Sequence, residues 1–142
     1  MRFIIGSAAL LAMGSGALAA VAGVKNLCST TIYVTVTNSS MMSIQYTIAS
    51  NGTYSQPLAG MGNQFGITTD PSYYSTQSPK FVFGFSDSTS ASLTYWSITS
   101  VDGSPFDTFL VATSEPTCTN ATAYDGQVHT CTDTADIAVV LC

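Results

Sequence analysis

The chain has 142 residues and is poor in charge. Three Lys and Arg stand against eight Asp and Glu, and charged residues make up only 8% of the whole. So few cations cannot neutralise a row of phosphates, which excludes nucleic acid as a partner. Helical periodicity is also missing: beyond the first twenty residues no segment holds apolar positions at helical spacing for more than two turns. No long apolar run follows residue 22, so a mature chain has no membrane-spanning helix. His129 is the sole histidine and no Cys-x-x-Cys pair occurs, which leaves no metal-ligand spacing. There is no Gly-x-Ser-x-Gly, and Gly60-Met61-Gly62 precedes no helix, so neither a hydrolase elbow nor a phosphate loop is present. Without repeat, linker or charge run, the chain reads as one domain that needs no cofactor and no metal.

What is present begins with an address. Met1-Arg2 is a short basic start, Phe3 to Met13 an apolar core, Gly14-Ser15-Gly16 a break, and Ala17-Leu18-Ala19 a small-x-small cleavage site. The expectation is a signal peptide over residues 1–19, a mature domain over residues 20–142, and a secreted, extracellular protein. Ala20-Val21-Ala22 offers a second cleavage site. A membrane anchor is the competing reading; three glycines and the lack of a basic stop speak against it. Beyond residue 19, Ser and Thr supply 37 of 123 residues, and two lysines against eight acids leave a charge of −6.

All four cysteines, Cys28, Cys118, Cys131 and Cys142, fall in the mature chain, and an even count behind a signal peptide implies two disulfides. Three pairings are possible. The nested one, Cys28–Cys142 around Cys118–Cys131, is preferred; in the chain-entropy model the outer bridge contributes about 5 kcal/mol and the inner about 3. Asn38, Asn51 and Asn120 each open an Asn-x-Ser/Thr sequon in a polar, turn-like stretch and are the candidate glycosylation sites.

The rest alternates as strands do. Thr31–Thr37, Ser43–Ala49, Phe65–Thr68, Phe81–Phe85, Ser92–Thr99, Thr108–Thr113 and Ile137–Leu141 are β-rich segments. Asn51-Gly52 and Asp102-Gly103 are turns, and residues 114–134 form a polar loop. Seven or eight short strands predict an antiparallel β-sandwich or barrel. Tyr33, Tyr46, Phe81, Phe83, Phe85, Tyr95 and Trp96 are assigned to the core, and Tyr54, Tyr73, Tyr74 and Tyr124 to loops. His129 is read as a surface histidine. The hydroxyl-rich stretches Thr69–Ser78 and Asp87–Ala91 are candidates to line a site.

Four stretches carry a family resemblance. Lys25-Asn26-Leu27-Cys28 before the first strand resembles the opening of thaumatin-like proteins. Asn51-Gly52-Thr53-Tyr54-Ser55-Gln56-Pro57 is similar to a segment of the fungal Blastomyces yeast-phase-specific proteins, small relatives within that fold. Tyr95-Trp96 through Val101-Asp102-Gly103-Ser104-Pro105 resembles a segment that both share. Asp136-Ile137 to the terminal Cys142 resembles the yeast-phase-specific C-terminus. The resemblance implies a secreted fungal thaumatin-like β-sandwich whose first and last cysteines pair. It also implies a departure. The proposed glucan cleft of the plant proteins uses a Glu and two Asp; on that pattern Lys80 and Ser97 replace two of them, and only Asp102 remains.

Glycoside hydrolysis usually needs two carboxyl groups flanking one bond. Most carboxylates here fall in turns, where Asp bonds backbone. No catalytic residue is therefore assigned. Tyr73, Tyr74 and Asp102 are the glycan-binding candidates, since tyrosine rings can stack on sugar faces. The function expected is a non-enzymatic extracellular or cell-wall protein whose partner is a wall polysaccharide or a host surface component. The alternatives are an effector or antifungal protein and a weak β-glucan hydrolase using Asp102.

Overall fold

A computed structural model describes residues 20–142; the signal peptide expected over residues 1–19 lies outside the described residues. Ten strands follow in order: β1 (Val21–Asn26), β2 (Ile32–Thr37), β3 (Ser43–Ile48), β4 (Thr53–Pro57), β5 (Asn63–Thr68), β6 (Lys80–Ser88), β7 (Leu93–Val101), β8 (Phe109–Thr113), β9 (His129–Thr132) and β10 (Ile137–Leu141). They form two sheets, ordered β4-β1-β10-β8 and β3-β2-β5-β6-β7-β9. Strands β1 and β10 run parallel; the other pairs among the described residues are antiparallel.

Alternation sets the layering, because successive side chains of a strand point to opposite faces. Phe81, Phe83 and Phe85 of β6 are buried, as are Phe65 and Ile67 of β5 and Trp96 and Ile98 of β7. Val24 of β1, Val111 of β8 and Ile137, Val139 and Leu141 of β10 complete the same core. The layers meet through rings: Phe81 and Phe109 lie 4.9 Å apart, and Tyr54 of β4 meets Phe65 edge-on at 5.6 Å. Each such buried side chain stabilises by about 1.5–3 kcal/mol.

Asn26 gives the Asn-x-Cys opening its physical reason. Fully buried, its Nδ2 donates to the carbonyls of Thr30, Ile48 and Ala49 at 2.9, 3.0 and 3.1 Å, and its Oδ1 accepts from the Cys28 amide at 2.9 Å. One side chain thus ties the β1–β2 turn to the β3–β4 turn. It also sets Cys28 beside Cys142, to which it is bonded across a Cα separation of 5.0 Å. Cys118 bonds Cys131 and fastens the 114–128 loop to β9.

Several expectations need correction. Strands β1, β4 and β9 were not foreseen. β1 directly follows the stretch expected to be cleaved, β4 is a half-exposed polar edge strand, and β9 lies within the stretch assigned as a polar loop. Tyr33 and Tyr95 project from the outer side of the six-stranded sheet rather than into the core. Tyr46 points inward, but at the open rim of the sandwich, and stays 37% exposed.

Candidate functional site

The outer side of β5-β6-β7 carries the candidate residues Tyr73, Tyr74 and Asp102 around one cleft. Loop 69–79, between β5 and β6, folds back over it, and short-range hydrogen bonds give the loop its shape. The Asp70 carboxylate accepts from the Ser72 amide at 2.7 Å and from Ser78 Oγ at 3.1 Å. The Ser72 amide, foremost, holds that carboxyl below the usual range.

Tyr73 is laid flat by a missing side chain. A Cβ on Gly66 of β5 would sit 2.1 Å from Tyr73 Cε2, so only glycine admits the ring there. Gln64 Nε2 donates to the Tyr73 hydroxyl at 2.8 Å. Burial pushes the Tyr73 phenol up from its ordinary value. Tyr74 meets Tyr73 edge-to-face at 5.1 Å and stays 76% exposed, an aromatic surface facing solvent.

Lys80 fastens the loop from below. Its buried ammonium donates to the Ser75 and Ser78 carbonyls, both at 2.7 Å, and to Asp102 Oδ2 at 3.1 Å. It also stands 6.0 Å from the centre of the Tyr73 ring. Asp102 comes to it from the turn after β7, where Asp102 and Gly103 take positive φ of 58° and 100°. Between loop and sheet lies an open cleft of about 450 Å³, lined among others by Gln64, Tyr73, Tyr74, Val82, Thr99 and Asp102.

The structure brings Tyr73, Tyr74 and Asp102 together on this one cleft. Asn38, Asn51 and Asn120 lie elsewhere, all exposed: Asn38 in the β2–β3 turn, Asn51 in the β3–β4 turn and Asn120 in the disulfide-held loop. Of the two stretches expected to line a site, 69–78 does so, whereas 87–91 forms the far end of the β6–β7 hairpin. Two loop tyrosines are core-packed instead. Tyr54, within β4, packs at a tilt 4.5 Å from Tyr46, and burial pushes its phenol up to about 12. Tyr124 packs 4.8 Å from Phe109. His129 is not a surface histidine: its side chain is 12% exposed and stacks on Trp96 at 4.2 Å. Its Nε2 lies 2.9 Å from Asp125 Oδ2, an ion-pair contact when the ring is protonated rather than an aligned hydrogen bond.

Sequence reasoning missed Gln64, Gly66 and the clamping role of Lys80. The one available signal was Lys80 itself, one of two lysines in the sequence, at the head of a Phe-x-Phe-x-Phe strand. Chemically, the cleft offers one exposed ring, amide and hydroxyl groups, and a carboxylate already paired with a cation. Asp102 is the sole carboxylate lining it among the described residues. No cluster of potential metal ligands, and no helix long and apolar enough to cross a membrane, occurs among the described residues.

The family model "Blastomyces yeast-phase-specific protein" matches residues 9–142. No curated protein matches in sequence. Among solved structures, the protein elicitor MoHrip2 from Magnaporthe oryzae is similar with a TM-score of 0.72 at 19% identity, over 87% of this chain and 99% of that one. The thaumatin-like xylanase inhibitor TLXI is similar with a TM-score of 0.63 at 12% identity, over 85% and 98% of the two chains. At these identities the likeness establishes the fold: a single thaumatin-like β-sandwich with two disulfides.

Proposed function

Because the chain belongs to the Blastomyces yeast-phase-specific protein family, we propose that it is a secreted, non-enzymatic fungal extracellular or cell-wall protein that binds a surface glycan in the cleft beneath loop 69–79. The observation that carries the reading is Tyr74. A large ring left 76% exposed, braced edge-on by a second ring whose position is possible only above Gly66, is a prepared stacking surface. Gln64 and Asp102 supply polar groups beside it.

The non-enzymatic part rests on Lys80. A single carboxylate can act as acid or base but not as both on opposite sides of one bond, and Asp102 is already neutralised at 3.1 Å. Asp70, a candidate for a partner, spends its carboxylate on shaping the loop.

Residues 1–19 are proposed as the leader and 20–142 as the mature domain. Supporting this boundary, the Ala20 carbonyl accepts from the Leu58 amide at 2.6 Å and Ala22 is fully buried in β1; cleavage after Ala22 would remove both. The fold shared with a protein elicitor supports an effector role as the second reading.

Incubating purified protein with insoluble β-glucan and chitin tests binding and sugar release together. Sedimentation with one polysaccharide, without reducing-sugar release above a heat-killed control, is the expected result. Hydrolysis that vanishes in Asp102→Asn would overturn the non-enzymatic reading. Failure to bind any wall polysaccharide would favour the effector.

A further inference from the structure

The cleft does not end at Val82. A second, smaller depression of about 290 Å³ lies on the same side of the same strands, floored by Gly84, Ser86, Tyr95 and Ser97. Strand register joins the two. Gln64 of the first is the direct cross-strand partner of Gly84 of the second. On β6 and β7, the pair Val82–Thr99 is followed two residues along by Gly84–Ser97, and then by Ser86–Tyr95. From Lys80 to Ser86 the outward positions of β6 span about 20 Å, at roughly 3.3 Å per residue.

Resting on the glycan reading above, we infer that the two depressions form one continuous track for an extended, uncharged, linear oligosaccharide, with Tyr74 at one end and Tyr95 at the other. Three observations carry this. The floor is low, because Val82, Gly84, Ser97 and Thr99 are small. Its polar groups are neutral, the amide of Gln64 and the hydroxyls of Ser86, Ser97 and Thr99, and they stand among the apolar surfaces of Val82, Val101 and Val128, which matches the hydroxyls and C–H faces of a sugar chain. Its charge is closed: the one lysine and one carboxylate that line it pair with each other, so a neutral ligand is complementary and an anionic or cationic polymer gains nothing. A peptide strand is the poorer occupant. The backbones of β5, β6 and β7 are already paired on both sides, leaving no edge for strand addition.

Gly84 is the place to test the track. A Cβ there meets its nearest neighbour, Ser97 Oγ, at 3.7 Å, ordinary contact distance, and the backbone is not left-handed. Gly84→Val therefore raises the floor at a position where strand geometry accepts a branched residue. Calorimetric titration would compare two-unit and six-unit oligomers of β-1,3-glucose, β-1,4-glucose and chitin on the wild-type protein, Gly84→Val, Tyr95→Ala and Tyr74→Ala. For at least one series the six-unit oligomer should bind at least tenfold tighter than the two-unit. Gly84→Val and Tyr95→Ala should each erase that gain, with two-unit binding and thermal midpoint unchanged. Equal affinity for both lengths, with Gly84→Val silent and Tyr74→Ala defective, overturns the track and leaves the single-cleft reading standing. No binding by any oligomer overturns both.

Discussion

The two sides of β5-β6-β7 are built from the same three strands to opposite ends. Inward, Phe65, Ile67, Phe81, Phe83, Trp96 and Ile98 are almost wholly buried, and the titratable groups that meet them, His129 on Trp96, Tyr54 on Phe65 and Tyr124 on Phe81, come from other strands and loops. Outward, the alternate positions are Gln64, Gly66, Val82, Gly84, Ser97 and Thr99, small or polar, with one loop folded over them. The inner side supplies stability through volume. The outer side leaves volume out, at Gly66 so that Tyr73 can lie flat and at Gly84 so that the surface stays low. On the proposed function, one strand thereby separates folding from recognition at every second residue.

The largest effect should come from the inner side. Phe83→Ala removes a fully buried ring and should destabilise by about 3–5 kcal/mol, whereas its outward neighbour Val82→Ala should cost under about 1 kcal/mol. Urea unfolding of both variants measures the contrast; equal losses would break the division of labour.

Gly66→Ala sits where the two roles touch. The added Cβ evicts the Tyr73 ring, so about 1–3 kcal/mol should be lost. Because the evicted ring braces Tyr74, sugar binding should fall with it. Denaturation and polysaccharide sedimentation on the same variant would separate the two losses.

Acid should open the loop before it reaches the core. The Asp70 carboxyl in the folded protein titrates below its unfolded value of about 3.9, chiefly through the Ser72 amide. Its contribution is therefore fully present above that value and is lost as pH falls through the lower, folded value. The Ser72 amide resonance, followed down the pH scale, should shift in that window in the wild-type protein and show no such step in Asp70→Asn. The signals of Phe65, Ile67, Phe81 and Phe83, which are remote from the Asp125–His129 contact, should not move with it.

The smallest structural effect belongs to Tyr74→Ala. An exposed ring contributes within about 0.5 kcal/mol to stability, yet this variant should bind β-glucan or chitin least. A marked fall in thermal midpoint would show that the ring serves the fold rather than a ligand.

Strand alternation made much of this legible. Phe81-Val82-Phe83-Gly84-Phe85 and Thr94-Tyr95-Trp96-Ser97-Ile98 announce their faces, and the fold class follows. β4 and β9 escaped because their edge positions tolerate polar residues on both sides. Of the four tyrosines read as loop residues, only Tyr73 and Tyr74 belong to the cleft. What distinguishes them from Tyr54 and Tyr124 is their neighbours, and those are set by pairing between distant segments. Gly66, in a sequence, is one glycine among eleven; its meaning arises only when the loop folds back on it. The same holds for Lys80, whose three acceptors come from two separate turns.

The parallel pairing of β1 with β10 sets an order of assembly. β2–β3 and β6–β7 close as hairpins across a few residues, but Ala22 must find Ile137, at the other end of the domain. The entropy of closing a loop grows with its length, and long-range pairings form slowly. The six-stranded sheet can therefore zip up while its phenylalanines are still uncovered, and the second layer settles on it afterwards. Cys118 and Cys131, thirteen positions apart, can meet early, whereas Cys28 waits for Cys142 until β1 and β10 have docked. The outer bridge should therefore be the later of the two to form, and a trapped Cys28 thiol would mark chains that stalled one layer short.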